Sequence, residues 1–360
     1  MGEVLRVRGV ALPSEESAEF WITGGVLSRE PVRDAVTVVD GGWLLPGLVD
    51  AHTHPGAERP GDPLDAELLR RHGREHLSAG VTLLRVPGSA GRLPGWFGTE
   101  PDQPRVVSAG RWLALPGRFY DGWARHVEAA DLADAAVEEA LASGGWCKVY
   151  ADWVGDEHGL DDPPLPAGRL AEATRRVHAA GGRVAVHAQT AAGAQAAVRA
   201  GVDSLEHGLG LDVSLLDRMA AQGTALVPTF TVWETFAEVA RASRSRRFRE
   251  WFRAAREGLG PLVAAAHEAG VTVLAGTDSY GTSVLPHGRV AGEVRHLVAA
   301  GVPADAALGA ACWTARSFLG FPGLEHGAAA DLVAFEEDPR ADPRVLARPA
   351  RVVRGGRVVR

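Results

Sequence analysis

The sequence predicts an α/β fold, a (β/α)8 TIM-like barrel with a small β-sandwich domain built from both chain ends. Three observations predict it. Short apolar runs alternate with amphipathic segments through the middle of the chain, several of those segments end in Ala-Gly just before the next run, and both chain ends hold strand patterns without a helical period. Alternating strand and helix units favour a parallel sheet with right-handed crossovers. Glycine at a helix end takes the left-handed conformation cheaply. Eight such units in about 235 residues match the size of a barrel.

Taken in order, residues 1–42 hold short strands around the turn signals Gly24-Gly25 and Gly41-Gly42. The barrel is expected over residues 43–326. Its strands are predicted at Trp43–Ala51, Val81–Val86, Arg105–Ala109, Trp146–Ala151, Arg183–Ala188, Asp203–His207, Ala225–Phe230 and Val271–Thr277. Between them the apolar period predicts helices at Pro63–Ser78, Leu132–Ser143, Gly168–Ala180, Val213–Gln222 and Arg246–Ala269. Asp305–Leu319 reads as a terminal helix leading back to the sandwich, whose second half is residues 327–360, with strands at Asp331–Phe335 and Val352–Arg360. The Pro/Gly-rich residues 55–63 read as a loop beside the first strand.

Composition excludes several classes. In a chain of 360 residues, 46% hydrophobic content is ample for a sizeable core and 23% charged content argues against disorder. A net charge of −7 with scattered basic residues gives no nucleic-acid or anionic-membrane footprint. Cys147 and Cys312 form no CxxC, so neither a disulfide framework nor a Cys-type zinc site is indicated. The first residues lack the apolar core of a signal peptide, and no apolar run is long enough to span a membrane. The expectation is a cytoplasmic protein acting on a small molecule, free to form homo-oligomers. All 38 basic residues but Lys148 are arginine, and the chain has no asparagine and one isoleucine, Ile22. That bias fits G/C-rich codons, and a lysine that survives it is worth following.

Strand ends carry the candidate chemistry. His52 and His54 lie two apart at the end of the first strand, so both imidazoles project to one face, as a divalent metal site requires. His187, His207 and Asp278 close the fifth, sixth and eighth strands, at the C-terminal rim where such barrels place their sites. Lys148 shares a face of the fourth strand with Trp146 and Tyr150. An inward lysine is costly when charged and, unlike arginine, can give up its proton; an ion pair to Asp278 or Asp152 is the plainer alternative. His72, His76, His178, His267 and His296 fall in helical segments and read as surface or interface residues. Aromatic residues in the loops, Tyr120, Trp123, Tyr150, Trp153, Phe230, Trp233 and Tyr280, suit the walls of a partly apolar substrate pocket. Arg111, Arg118 or His287 could hold a substrate carboxylate.

The pattern resembles the amidohydrolase superfamily, in particular its imidazolonepropionase-like metal-dependent hydrolases. The resemblance runs from LLPGLVDAHTH at Leu44–His54 through WCKVYAD, VAVHAQ, SLEHG and LAGTDS to the tail at Gly323–Pro339. It implies two divalent ions, usually zinc, with His52 and His54 on the more buried one and His187 and His207 on the other. It also implies that Lys148, carboxylated by CO2, bridges the pair, and that Asp278 ligates the buried ion and shuttles the proton. The implied activity is hydrolysis of an amide-type C–N bond in a dipeptide, an N-acyl amino acid or a cyclic amide, by hydroxide that the metals activate. Lactone, ester or phosphotriester hydrolysis is the alternative on the same site, ahead of a mononuclear deaminase or a non-catalytic barrel. Deaminases of the superfamily place a glutamate three residues beyond the strand-five histidine, where this chain has Thr190. The Gly-Gly-His stretch that many relatives carry after strand three is also absent.

Overall fold

Alternating apolar residues put Val7, Phe20 and Ile22 on the buried face of a hairpin formed by Leu5–Ala11 and Glu16–Thr23. The computed structural model describes residues 3–155, 160, 162 and 164–360. The hairpin belongs to a seven-stranded sheet that also holds Val26–Ser28 and Val36–Pro46 and, from the other end of the chain, Leu332–Phe335, Arg351–Arg354 and Arg357–Val358. Leu332–Phe335 runs antiparallel to Val36–Pro46, with Ala334 opposite Leu44. Where two facing layers were expected, the strands form one hydrogen-bonded sheet. It curls until Val26 bridges Ala329, with Phe20, Leu27, Leu44, Leu332 and Val353 packed in one cluster.

Parallel pairing governs the middle of the chain. Leu48–Asp50, Val81–Val86 and Arg105–Ser108 make a three-stranded sheet. A second sheet holds Trp112–Ala114, Trp146–Tyr150, Arg183–Ala188, Ser204–His207 and Ala225–Val227, with Arg125–His126 at its edge. Ser89 bridges Arg111 between the two sheets. On the other side Val271–Thr277, expected as the eighth strand, forms no ladder among the described residues: Val273 makes an isolated bridge to Leu226, and Ser279, just beyond it, one to Thr53. The amides of Ala51 and Asp278 add hydrogen bonds to the carbonyls of Ala275 and His52.

Several expected elements are shorter or divided, three of them at a residue that explains it. The expected strand Trp43–Ala51 splits at Gly47: residues up to Pro46 pair in the terminal sheet, and Leu48 onward in the parallel one. Proline has no amide proton to extend a ladder, and a Cβ on Gly47 would lie 2.0 Å from Thr82 Oγ1. The strand from Ala225 ends at Val227, before Pro228, and Phe230–Thr235 is helical after Thr229 in the left-handed region at φ 53°. The terminal helix is two, Ala304–Ala310 and Trp313–Phe318, broken at Cys312.

Ala66–Ser78, Leu132–Ser143, Ala167–Ala179, Ala191–Ala200, Arg246–Glu268 and Val290–Ala299 are the longer helices. Asp65 starts the first by accepting from the Leu68 amide. Gly201 ends the fourth at φ 74°, as the Ala-Gly signal predicts. The buried Asp331, just before Leu332–Phe335, joins the terminal sheet to the parallel strands: Arg105 Nε donates to it at 2.5 Å, and Arg316 and Arg354 lie 3.8 Å away. Among the described residues no helix is long and apolar enough to cross a membrane.

Candidate metal centre

The residues singled out at strand ends converge. His52 Nε2 lies 3.1 Å from His54 Nε2 and 3.5 Å from Asp278 Oδ1, which is 3.2 Å from His54 Nε2. Donors about 2.1 Å from a tetrahedral ion stand roughly 3.4 Å from one another, so this group has the spacing of a ligand set. Beside it, His187 Nδ1 and His207 Nε2 approach to 3.0 Å. The rings of His52 and His207 are 5.3 Å apart, which makes the two groups neighbours.

Backbone geometry turns two of these side chains toward the rest. In Ser204–His207, alternation places Ser204 and Glu206 on one face and would send His207 to the other. His207 instead has φ 67°, and Asp278 likewise has φ 53°. Non-glycine residues in the left-handed region store strain, which clusters at functional sites.

Hydrogen bonds on the far ring nitrogens set the tautomers. His52 Nδ1 donates to Glu206 Oε2 at 2.6 Å, and Arg85 holds both Glu206 oxygens at 2.8 Å. His54 Nδ1 donates to the Gly88 carbonyl at 2.9 Å. The Thr229 hydroxyl donates to the Pro228 carbonyl and so accepts from His207 Nδ1 at 2.7 Å. Each contact leaves the Nε2 lone pair free for a cation, the usual arrangement behind metal-binding histidines. Burial draws His52 down to about 4 and His187 and His207 well below the usual imidazole range, so all three are neutral at pH 7. Burial pushes the Asp278 carboxyl up, but the positively charged neighbours, Lys148 among them, outweigh it and hold the group below the usual carboxylate range. In the same way Arg85, Lys148 and His52 overcome the burial of Glu206.

Lys148 is buried on the strand Trp146–Tyr150, and its Nζ has no hydrogen-bond partner among the described residues. Burial lowers its ammonium to about 8. The alternative partner Asp152 is engaged elsewhere: it accepts from the amides of Gln189 and Thr190 and from the Thr190 hydroxyl. Thr190 in turn caps Ala191–Ala200, so the position where deaminases carry a glutamate has a structural task here. A buried, unpartnered amine beside five convergent ligand groups fits a site for divalent ions.

Above the ligands opens a cavity of about 350 Å³. Six of the seven loop aromatics read from the sequence line it, Tyr120, Trp123, Tyr150, Trp153, Trp233 and Tyr280, whereas Phe230 does not. Tyr150 stacks on His187 at 4.2 Å and Tyr280 on His54 at 4.9 Å. Sequence reasoning missed the far wall, where Phe248, Trp251 and Phe252 of Arg246–Glu268 join Phe236 and Val239. A helical apolar stripe reads as core, so nothing in the local sequence marks Trp251 as facing a cavity. Glu206 and Arg85 were also missed, although a charged residue inside each of two apolar strands was the available signal.

Other expectations fail. Arg111 is held by the buried Glu139 at 2.7 Å and Arg118 pairs with Asp162, so neither lines the cavity. His287 is buried with His72 and His76, which are not surface residues: His76 Nε2 lies 3.0 Å from His287 Nδ1, and Thr53 Oγ1 is within 3.3 Å of both. That network braces Thr53, the residue between two candidate ligands.

Residues 43–359 match the sequence model of the amidohydrolase family. The uncharacterized protein Rv2915c of Mycobacterium tuberculosis is 42% identical over 358 residues, covering 98% of this chain and 95% of that protein. Among solved structures, a Xaa-Pro dipeptidase with bound methionine in the active site superposes with a TM-score of 0.84 at 23% identity, covering 99% of both chains. The Aspergillus niger (A. niger) ochratoxinase gives 0.81 at 22%, covering 99% of this chain and 96% of that one. Likeness at such identities is one of fold, and the fold is TIM-barrel-like.

Proposed function

Because the chain belongs to the amidohydrolase family, hydrolases of carbon–nitrogen bonds, we propose that it is a binuclear-metal hydrolase opening an amide-type C–N bond at the mouth of a closed eight-stranded barrel. One observation carries this reading: His52, His54 and Asp278 converge beside the His187–His207 pair and an unpartnered buried lysine, on the floor of a single cavity. His52, His54 and Asp278 would hold one ion and His187 and His207 the other, with zinc the expected metal. Two divalent ions in such a site lower the pKa of a shared water and polarise the scissile carbonyl.

The chain's own groups supply the rest. Lys148, brought down to about 8, presents enough neutral amine near pH 7 to 8 to add CO2, releasing a proton and leaving an anionic carbamate that would serve as a further ligand group. Asp278, held ionised, takes a proton from the attacking water and returns it to the leaving nitrogen, acting as base and then as acid. Glu206, through His52, fixes a ligand's tautomer and orientation. Tyr150, Trp153, Trp233, Tyr120 and Tyr280 orient the substrate and keep bulk water from the reacting carbonyl.

Elemental analysis combined with an amide screen tests the reading. The purified chain should hold two zinc-like ions and release amine and acid from amides. Lys148→Ala should retain at most one ion and lose at least about 100-fold in kcat/KM, within the range for a displaced catalytic metal. Two ions and full activity in that variant would remove the carbamate. A chain that takes up no divalent ion would remove the hydrolase reading itself.

A further inference from the structure

The cavity walls select by charge as well as shape. The chain has 38 basic residues, yet no arginine or lysine is among the described residues that line the cavity. Residues 1–2, 156–159, 161 and 163, which are not described, include no arginine or lysine in the sequence. Among the described residues the carboxylates in the lining are Asp278, which faces the candidate ligand histidines, and Glu58, which pairs with Arg71. The remaining wall is largely aromatic and aliphatic. In it the Trp233 indole N–H, buried and without a hydrogen-bond partner among the described residues, is a donor suited to an uncharged acceptor such as a carbonyl oxygen.

A carboxylate entering this space would shed its water without gaining a guanidinium or ammonium in return, whereas an aromatic group would cover apolar wall at no such penalty. We infer, resting on the amide-hydrolase reading, that the substrate is an uncharged amide flanked by an aromatic group. An N-acyl amino acid or dipeptide that ends in a free carboxylate is then a poor substrate. The cavity volume, at the lower end of the roughly 300–1,000 Å³ of small-molecule sites, accommodates one such group beside the reacting carbonyl. The residues that set this preference, Trp233, Trp251, Phe248 and Phe252, are specificity determinants rather than catalytic residues.

Three probes sharing one phenylacetyl group separate the outcomes: N-phenylacetylglycinamide is neutral, N-phenylacetylglycine is its near-isosteric anion, and N-phenylacetylethylenediamine is a cation. Binding is read by quenching of tryptophan fluorescence in chelator-treated and zinc-loaded protein, and hydrolysis by phenylacetate released from the zinc-loaded protein. The neutral probe should bind at least about tenfold more tightly than the anion in both forms and show the higher kcat/KM. Val239→Arg, at an exposed position on the cavity rim, should shift that ratio toward the anion by about tenfold. Equal or tighter binding of the anion, tightest binding of the cation, or no binding by any of the three would overturn the inference. Retention of the charge order without hydrolysis of any probe would support it while counting against amide hydrolysis, which keeps the two readings apart.

Discussion

Glu206 and His207 are adjacent in sequence, and both face the candidate metal centre or the residues that would form it. On a regular strand they would face opposite ways, and the left-handed φ of 67° at His207 allows both to face it. The identity of His207 was therefore legible in the sequence and its direction was not, because alternation cannot anticipate a strained residue. Glu206 was overlooked for the complementary reason: it touches no substrate space and acts through His52. Glu206→Gln would keep an acceptor for His52 Nδ1 but remove the charge that Arg85 balances. Metal affinity should fall by about 10- to 100-fold, as for other outer-sphere partners, measured by competition with a chromophoric chelator. Unchanged affinity would show that His52 is positioned without it.

At the scale of elements, the first strand and the segment 272–279 approach each other through a glycine. A Cβ on Gly276 would sit 2.5 Å from His52 Cβ and 2.9 Å from its backbone nitrogen, with Val227 Cγ1 at 2.6 Å. Two of these three contacts belong to a ligand residue, so Gly276→Ala must displace the strand that carries it. A loss of about 1–3 kcal/mol is expected for such overpacking, read from the urea midpoint, together with weaker metal binding. Wild-type stability and metal content would mean the backbone there moves freely. Such close approach accounts for the irregular pairing of Val271–Thr277, which the sequence reads as a strand. Their apolar run was visible, whereas the spacing to neighbouring strands depends on side chains far away in sequence. The aromatic wall from Arg246–Glu268 was hidden differently. Its period is that of any amphipathic helix, and only the tertiary arrangement shows that Trp251 and Phe252 face a cavity.

For the whole molecule, the alternation of strands and helices was legible from apolar period and Ala-Gly punctuation, and so was the joining of the chain ends. The division of the first predicted strand between two sheets was not, since Gly47 owes its role to Thr82 and Asp331. Asp331 holds the two parts together, with Arg316 and Arg354 nearly inaccessible beside it and Arg105 bonded to it. Asp331→Ala would leave buried guanidinium groups without their counter-charge and should cost about 3–5 kcal/mol, measured by denaturant unfolding with circular dichroism. A shift under about 1 kcal/mol would show that water or other carboxylates neutralise those arginines.

The pairing of Leu332–Phe335 with Val36–Pro46 has a consequence for synthesis on the ribosome. The early strand emerges with one edge bare and must wait while the whole parallel region is translated before its neighbour exists. Until then an unpaired apolar edge is open to other nascent chains. The final step of folding is thus the arrival of late-made residues at a place prepared by the earliest, so premature termination anywhere upstream of Leu332 leaves a sticky intermediate instead of a smaller working enzyme.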